Sequence, residues 1–303
     1  MNRKRFLTNS LLGIAGMATV PGYLMVKKNR SVFALQAEAN LLSLRGGVHV
    51  FTMSGGSMGA YLSEGHSVVI DSQYPDNAKE ALKQLKEKGL AERLLLCNTH
   101  HHGDHTGGND VFAEEGMTIL AHTAVPILMK KQAEERSRPL AAIPTETFES
   151  AIEKQLGQEK LAARHFGLAH TGGDAVFHFT EANVAHVGDL VFNDVYPFID
   201  PNGGGNIAGW IEVLKGIEAY YDADTLFIFG HGKEVTGSLD DVARKREYLE
   251  KLLSEAQKAV ANGIDKEAFK TNDAMAFAGR NEMWDGAKVM NLERAWEQAS
   301  ELK

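Results

Sequence analysis

The sequence predicts a layered α/β fold built from mixed β-sheets. Two observations carry that prediction. Short β-branched runs come in groups separated by glycine-containing turns, as hairpins do. Stretches of helical period recur between those groups, which separates the fold from a single parallel sheet with regular crossovers. The 303 residues, 44% hydrophobic and 24% charged, have the composition of a soluble globular protein with length for one large core or two small ones. No interior linker, fixed-period repeat or low-complexity tract divides the chain, so one principal domain flanked by tails is expected.

The elements follow in order. The first thirty residues hold six basic groups (Arg3, Lys4, Arg5, Lys27, Lys28, Arg30), no acidic one, and an apolar stretch over residues 11–26. A basic start before a modest apolar run reads as a secretory signal. The order Asn2-Arg3-Lys4-Arg5-Phe6-Leu7 resembles a twin-arginine signal with Lys4 in the second arginine's place. Residues 1–39 are therefore expected to be an export signal, cleaved near Ala34 or Ala39. The alternative is an uncleaved anchor, the only contact with a membrane that the sequence offers. Residues 48–52 alternate as a strand, residues 60–62 continue after a glycine-rich turn, and residues 67–71 are β-branched. Residues 77–89 place Ala78, Ala81, Leu82 and Leu85 at helical spacing between Lys and Glu. Residues 94–97 form the next strand and hold the single cysteine, Cys97, which excludes an internal disulfide and reads as a buried packing residue. A strand over 118–121, a helix over about 125–135 and a polar, unassigned stretch over 138–160 come next. Strand-like runs follow at 162–167, 175–179 and 183–187, then a helix over 207–221, a strand over 226–229 and a long helix over 239–261. The domain is drawn as residues 40–265, with 266–303 a helical extension to which no chemistry is assigned.

Charge narrows the partners. The formal net charge is −8. Removing the first thirty residues takes six of the 32 basic groups and none of the 40 acidic ones, leaving about −14. Such a surface repels nucleic acid and leaves a small molecule as the expected partner. Nothing in the sequence specifies an oligomeric state.

The chemistry concentrates in Thr99-His100-His101-His102-Gly103-Asp104-His105-Thr106-Gly107-Gly108, directly after a strand. Imidazoles and a carboxylate packed this closely are costly to bury unpaired and are what divalent ions take as ligands. In an extended turn, His100 and His102 share a side and converge on one ion, while Asp104 and His105 reach a second. A solvated histidine-rich loop is the bland alternative. Three further polar residues end apolar strands beside glycine: His170 in Ala169-His170-Thr171-Gly172-Gly173-Asp174, Asp189 in Gly188-Asp189, and His231 in Gly230-His231-Gly232.

Together these segments resemble the ligand series of the metallo-β-lactamase superfamily, in order and spacing, from about residue 48 to residue 251. The resemblance implies a four-layer αββα sandwich of two mixed sheets, with the site at one edge between the sheets. It implies that His100, His102 and His170 bind a first divalent ion, that Asp104, His105 and His231 bind a second, and that Asp189 bridges them. Zinc is the first expectation, and the same ligands accept iron or manganese. A hydroxide held between two such ions would attack an acyl or phosphoryl centre, with Asp104 as the catalytic carboxylate that holds it in line. Asp189 stands where one branch of β-lactamases has cysteine, and another branch with the Asp104-His105 pair lacks the bridging aspartate. The set is closer to the thioesterase, lactonase and broad hydrolase branches. Residues 167–174 and 188–192 resemble exported members of the superfamily, some named for quinoprotein pathways. Flavodiiron oxygen reduction is disfavoured because a glutamate would stand where His102 does.

The expected function is a dinuclear, zinc-dependent hydrolase of a small ester, lactone, thioester or amide, with β-lactams left open. A metal-bearing relay protein without efficient turnover, or an iron redox enzyme, is the alternative. His101 is expected to be exposed or to lie behind the site. His122 is read as structural ahead of a substrate contact, His165, His178 and His186 as packing or surface residues, and Asp174 either orients a ligand histidine or caps a turn. The glycine-rich tip over 55–59 could bring Met58 to the substrate or be a plain turn. Specificity is expected from the loops over 53–59, 138–160 and 194–206.

Overall fold

Two runs of strands close into two facing sheets in a computed structural model that describes residues 40–271 and 282–301. The signal or anchor expected over residues 1–39 lies outside the described residues. In chain order, the first half contains β1 (Asn40–Ser43), β2 (Val48–Thr52), β3 (Met58–Leu62), β4 (His66–Ile70), α1 (Pro75–Lys88), β5 (Arg93–Asn98), α2 (Gly103–Thr106), α3 (Asn109–Glu114), β6 (Thr118–His122), α4 (Ala124–Glu135) and β7 (Glu146–Phe148). The second half contains β8 (Ala151–Leu156), β9 (Glu159–Arg164), β10 (Val176–Phe179), β11 (Val184–Asn193), α5 (Ile207–Tyr220), β12 (Leu226–Gly232), β13 (Thr236–Gly237), α6 (Leu239–Ala261), α7 (Lys266–Lys270) and α8 (Ala287–Glu301). Strands β1 to β7 form one sheet in sequence order, antiparallel to β4 and parallel from there. The other sheet runs β13-β12-β11-β10-β9-β8, and only β11 and β12 pair in parallel.

Three apolar clusters make the layers. Val50, Val68, Phe177, Phe179 and Ile228 fill the space between the sheets. Ala78, Leu82 and Leu85 of α1 pack with Phe112 of α3 on the outer face of the first sheet. Trp210, Leu214, Leu249, Leu252 and Leu292 cover the second sheet with α5, α6 and α8. Helix, sheet, sheet and helix are thus stacked as the four-layer sandwich requires. Cys97 is fully buried in β5, as expected, and burial raises its thiol well above the usual value.

Local chemistry sets the helix ends. Pro75 opens α1, and Gly89 closes it in the left-handed region at φ 103°. Asn206 caps α5 by accepting the Gly209 N–H at 2.7 Å, and Ser238 with Asp241 makes a capping box on α6.

The structure departs from the sequence reading at several places, three of them near the polar segments or in the unassigned stretch. Residues 98–108 are not an extended turn throughout, because α2 gives Gly103–Thr106 one helical turn. Asp189 does not end a strand: β11 continues to Asn193, and Asp189 sits in an irregular stretch between the Gly188–Phe229 and Phe192–His231 pairs. The unassigned stretch 138–160 supplies β7, β8 and the start of β9.

Candidate metal centre

Strand ends from both sheets meet at one edge of the sandwich, and all seven expected ligands meet there. His100 follows β5, and His102 stands immediately before α2. The turn of α2 rotates Asp104 and His105 toward the second sheet. His170 comes from the turn before β10, Asp189 from the irregular part of β11, and His231 from β12. His100 Nε2 and His170 Nε2 each lie 3.0 Å from His102 Nδ1. On the other side His105 Nε2 is 3.3 Å from His231 Nε2, which is 3.1 Å from Asp104 Oδ2. Asp189 joins the groups with separate oxygens. Its Oδ2 is 3.4 Å from His170 and 3.7 Å from His100, while its Oδ1 is 3.1 Å from His105 and 3.6 Å from His231.

The protons explain why these atoms fit a cation. His102 Nε2–H donates to Asp200 Oδ2 at 2.9 Å, and His170 Nδ1–H donates to the Phe198 carbonyl at 2.8 Å. The Thr99 hydroxyl donates to Asp71 Oδ2 at 2.8 Å and so accepts from His100 Nδ1–H at 3.0 Å. His105 Nδ1–H donates to Asp71 Oδ2 at 2.7 Å. Every outer nitrogen of these four rings therefore carries the proton. The inner nitrogens present lone pairs to one another and to carboxylates, which no hydrogen-bond pattern among them satisfies. Asp189 Oδ1 is likewise buried without a hydrogen-bond donor. Zinc–nitrogen bonds of 2.0–2.1 Å in a tetrahedron hold ligand atoms about 3.3 Å apart, close to the spacing found. The charges agree. Burial opposes charging His105, yet the carboxylates of Asp189, Asp71 and Asp104 raise its pKa well above the ordinary value, so negative groups converge where a cation would sit in place of the inner proton. Burial would lift the Asp104 and Asp189 carboxyls, yet the neighbouring His105 and His231 hold both far below it. Burial keeps His170 neutral, down to about 3.

Several supporting residues escape the sequence reading. Asp71, buried just after β4, accepts the Thr99 N–H at 2.7 Å and fixes His100 and His105 through Thr99 and Nδ1. The signal for it is register: β4 and β5 run parallel with Ile70 opposite Cys97, which sets Asp71 beside the histidine segment. Asp200, from the loop over 194–206, holds His102, and Phe198 of that loop holds His170, so the loop builds the site as well as bordering it. His186 is buried and donates from Nε2 to the Ser57 carbonyl at 3.0 Å, tying the glycine-rich tip to β11. That tip is wedged against the site and does not bring Met58 to a substrate: a Cβ on Gly56 would lie 2.1 Å from His105 Cε1, and Met58 is buried in the core. His101 is also buried, with Nε2 3.4 Å from Asp200 Oδ2; burial lowers its pKa to about 4. Asp174 caps a turn by accepting the Thr171 N–H and hydroxyl at 2.7 Å.

A cleft of about 390 Å³ opens over the cluster and reaches His102, Asp104, Asp189 and His231. Its apolar lining comes from Phe192, Phe198, Met283 and Trp284. The last two belong to the C-terminal region to which the sequence reading gave no chemistry.

Away from the cleft, His122 and His165 stack with centroids 3.9 Å apart. Burial, then the charge of His165, lowers the His122 pKa from 6.5 to about 4. A histidine buried neutral gives stability that is complete above its unfolded value and is lost as pH falls toward its folded one. Unfolding midpoints in urea should therefore decline for the native chain between pH 6.5 and about 4. His122→Phe, which keeps a ring in the stack, should decline less over that window. Equal acid losses in the two proteins would remove His122 as a cause.

The comparisons with known proteins agree with this geometry. A family model described as the metallo-beta-lactamase superfamily matches residues 54–258. The chain belongs to that superfamily. A hydroxyacylglutathione hydrolase from Synechococcus sp. (strain JA-3-3Ab) is 34% identical over 119 residues, which cover 39% of this chain and 42% of that protein. Another, from Erythrobacter litoralis (strain HTCC2594), is 30% identical over 156 residues, covering 48% and 52%. The chain thus spans about half or less of the curated relatives it matches. Among solved structures, a metallo-beta-lactamase from Pontibacter korlensis superposes with a TM-score of 0.60 at 17% identity, over 70% of this chain and 99% of that one. The DIM-1 metallo-beta-lactamase gives 0.59 at 17% identity, over 71% and 98%. At that identity the likeness concerns the fold, and the expected αββα sandwich is borne out.

Proposed function

We propose that the chain is a dinuclear metal-dependent hydrolase, with zinc as the ion, acting on a small ester or thioester; lactones and amides are further substrates of the same chemistry. One observation carries the reading: two groups of inward lone pairs share the single carboxylate of Asp189 beneath an open cleft. His100, His102 and His170 would hold one ion, Asp104, His105 and His231 the other, with Asp189 between. Bound there, the ions polarise the acyl oxygen and lower the pKa of water toward neutrality. The protein does the rest. Asp71, Asp200 and the Phe198 carbonyl keep the ring protons on the outer nitrogens. Asp104, whose side chain is 27% exposed, is placed to accept a hydrogen bond from water in the cleft and hold it in line. The name of the curated relatives, hydroxyacylglutathione hydrolase, puts a thioester first among the substrates to try. A relay protein would be expected to enclose its ions completely, and the cleft argues for turnover instead.

The test is elemental analysis of the purified protein together with hydrolysis of thioester, ester, lactone and β-lactam substrates before and after chelation. Two zinc per chain, with one activity lost on chelation and regained on adding zinc, is the expected result. Two ions with no turnover of any substrate would overturn the hydrolase reading, and fewer than one ion would overturn the ligand set.

A further inference from the structure

The cleft has a cationic lining that the hydrolase reading does not use. Arg136 and Arg138 both face it, and neither is in an ion pair among the described residues. The nearby Glu135 lies 3.9 Å from Lys131 instead. The backbone that carries the two arginines is held firmly. At the end of α4 the N–H groups of Arg136, Ser137 and Arg138 donate to the carbonyls of Gln132, Glu134 and Ala133 at 3.0, 3.2 and 3.0 Å. The last two bonds are those that close a helix through a left-handed residue, a place usually taken by glycine. Here Ser137 fills it at φ 48°. A residue with a Cβ held in that conformation is strained, and such strain persists where the surroundings need the geometry. Its effect is to bracket one tight turn with two guanidinium groups at the mouth of the cleft.

The rest of the lining says what kind of molecule would meet them. Tyr74 contributes a phenol whose proton burial and the charge of Asp104 keep in place, so it can donate a hydrogen bond. Phe198, Met283 and Trp284 offer an apolar wall. The volume, about 390 Å³, is that of a small-molecule site. The chain as a whole carries a charge of −8. Two uncompensated cations beside the reactive centre of an acidic protein draw an anion to that point against the surrounding field. Planar guanidinium groups match a carboxylate oxygen for oxygen.

Resting on the hydrolase reading, we propose that Arg136 and Arg138 form a carboxylate-binding subsite, and that the substrate is a small ester or thioester with a carboxylate on one side of the scissile bond and an apolar group against Phe198 and Trp284. The subsite can be read without turnover. Calorimetry on the zinc-loaded full chain compares phenylacetate with neutral phenylacetamide in the native protein and in Arg136→Gln, Arg138→Gln and the double variant. Phenylacetate should bind more tightly, and its advantage should shrink about tenfold in the double variant at low salt. An unchanged advantage would mean that the ions hold the carboxylate and would overturn the subsite. Phenyl phosphate binding better than phenylacetate, with the same dependence on the arginines, would overturn the choice of carboxylate. The kinetic arm uses the S-phenyl monothioester of succinic acid and its methyl ester. The ratio of kcat/KM for acid over methyl ester should favour the acid and fall about tenfold in the double variant. Turnover of neither compound, nor of any member of the thioester, ester, lactone and β-lactam panel, by native protein holding two ions would sink the hydrolase reading, and the calorimetry would still decide the subsite.

Discussion

Asp189→Asn is expected to reduce the bound metal from two ions to one or none and to lower kcat/KM by about 10³-fold or more, since losing several kcal/mol of metal activation corresponds to that factor. The reason is that one buried side chain serves both halves of the site. Asp189 is 4% exposed, and its two oxygens face separate histidine groups at 3.1 to 3.7 Å. Asparagine keeps the volume but removes the charge, and it turns an N–H₂ toward ring lone pairs or toward the other ion. The surroundings cannot adjust by sliding the backbone. Gly188 lies so close to Thr99 that a Cβ would come within 2.6 Å of its hydroxyl, and a Cβ on Gly230 would lie 2.0 Å from Asp189 Oδ1. Elemental analysis and kinetics on the folded variant, with circular dichroism to confirm folding, test this. Two retained ions and near-native rates would remove Asp189 from the ligand set.

Those glycines show why so much of the site can be read in the sequence. Gly188-Asp189 and Gly230-His231-Gly232 pair a ligand with a residue that must lack a side chain, so steric demand leaves a mark beside each polar residue. His100, His102, Asp104 and His105 stand within six residues, where helix and loop geometry alone brings them together. Asp71 left no such mark, and the glycines packed against Asp200, Gly203 and Gly205, stand three and five residues further on and not beside it. Each of these two is a single aspartate after an apolar run, as in countless turns, and its role appears only once the fold brings it beside a partner 28 positions away for Asp71 and 98 for Asp200. The fold divides in the same way. The interior strands were legible because two buried faces demand β-branched and aromatic residues. The four strands missed, β1, β7, β8 and β13, are the outermost strands of the two sheets. An edge strand is kept short and polar, which erases the alternation by which strands are recognised. In β8, Ala151–Leu156, exposed and half-buried positions alternate and only Leu156 is buried. Of the two places expected for His101, exposed or behind the site, the structure takes the second: it is buried against Asp200, the aspartate that also holds His102.

Asp71 is where the hidden part of the site can be tested most sharply. Asp71→Asn should weaken one of the two metal sites and lower activity by about 10- to 100-fold, the usual effect of removing the group that orients a ligand histidine. The argument runs through a proton. In the native chain Asp71 Oδ2 accepts from His105 Nδ1–H at 2.7 Å and from the Thr99 hydroxyl at 2.8 Å, while Oδ1 accepts from the Thr99 N–H at 2.7 Å. In the variant the remaining oxygen takes the backbone N–H, and the new N–H₂ faces His105 Nδ1. His105 must then accept there and carry its proton on Nε2, the atom that faces Asp189, His231 and Asp104. A protonated Nε2 cannot be a ligand. The Thr99 hydroxyl also loses its acceptor at Oδ2, but its two lone pairs can accept from the new N–H₂ and from His100 Nδ1–H together, and His102 and His170 keep their bonds to Asp200 and Phe198, so the other site is disturbed less and should retain its ion. Asparagine also tolerates the left-handed backbone of Asp71, at φ 62°, so the change isolates the proton from the fold. Alanine would not serve, because it strands three buried donors at about 1–3 kcal/mol each and removes the fold along with the proton. Competition with a graded chelator should reveal one native-like and one weakened zinc in Asp71→Asn; two equally tight ions and full activity would show that something other than Asp71 sets the His105 tautomer.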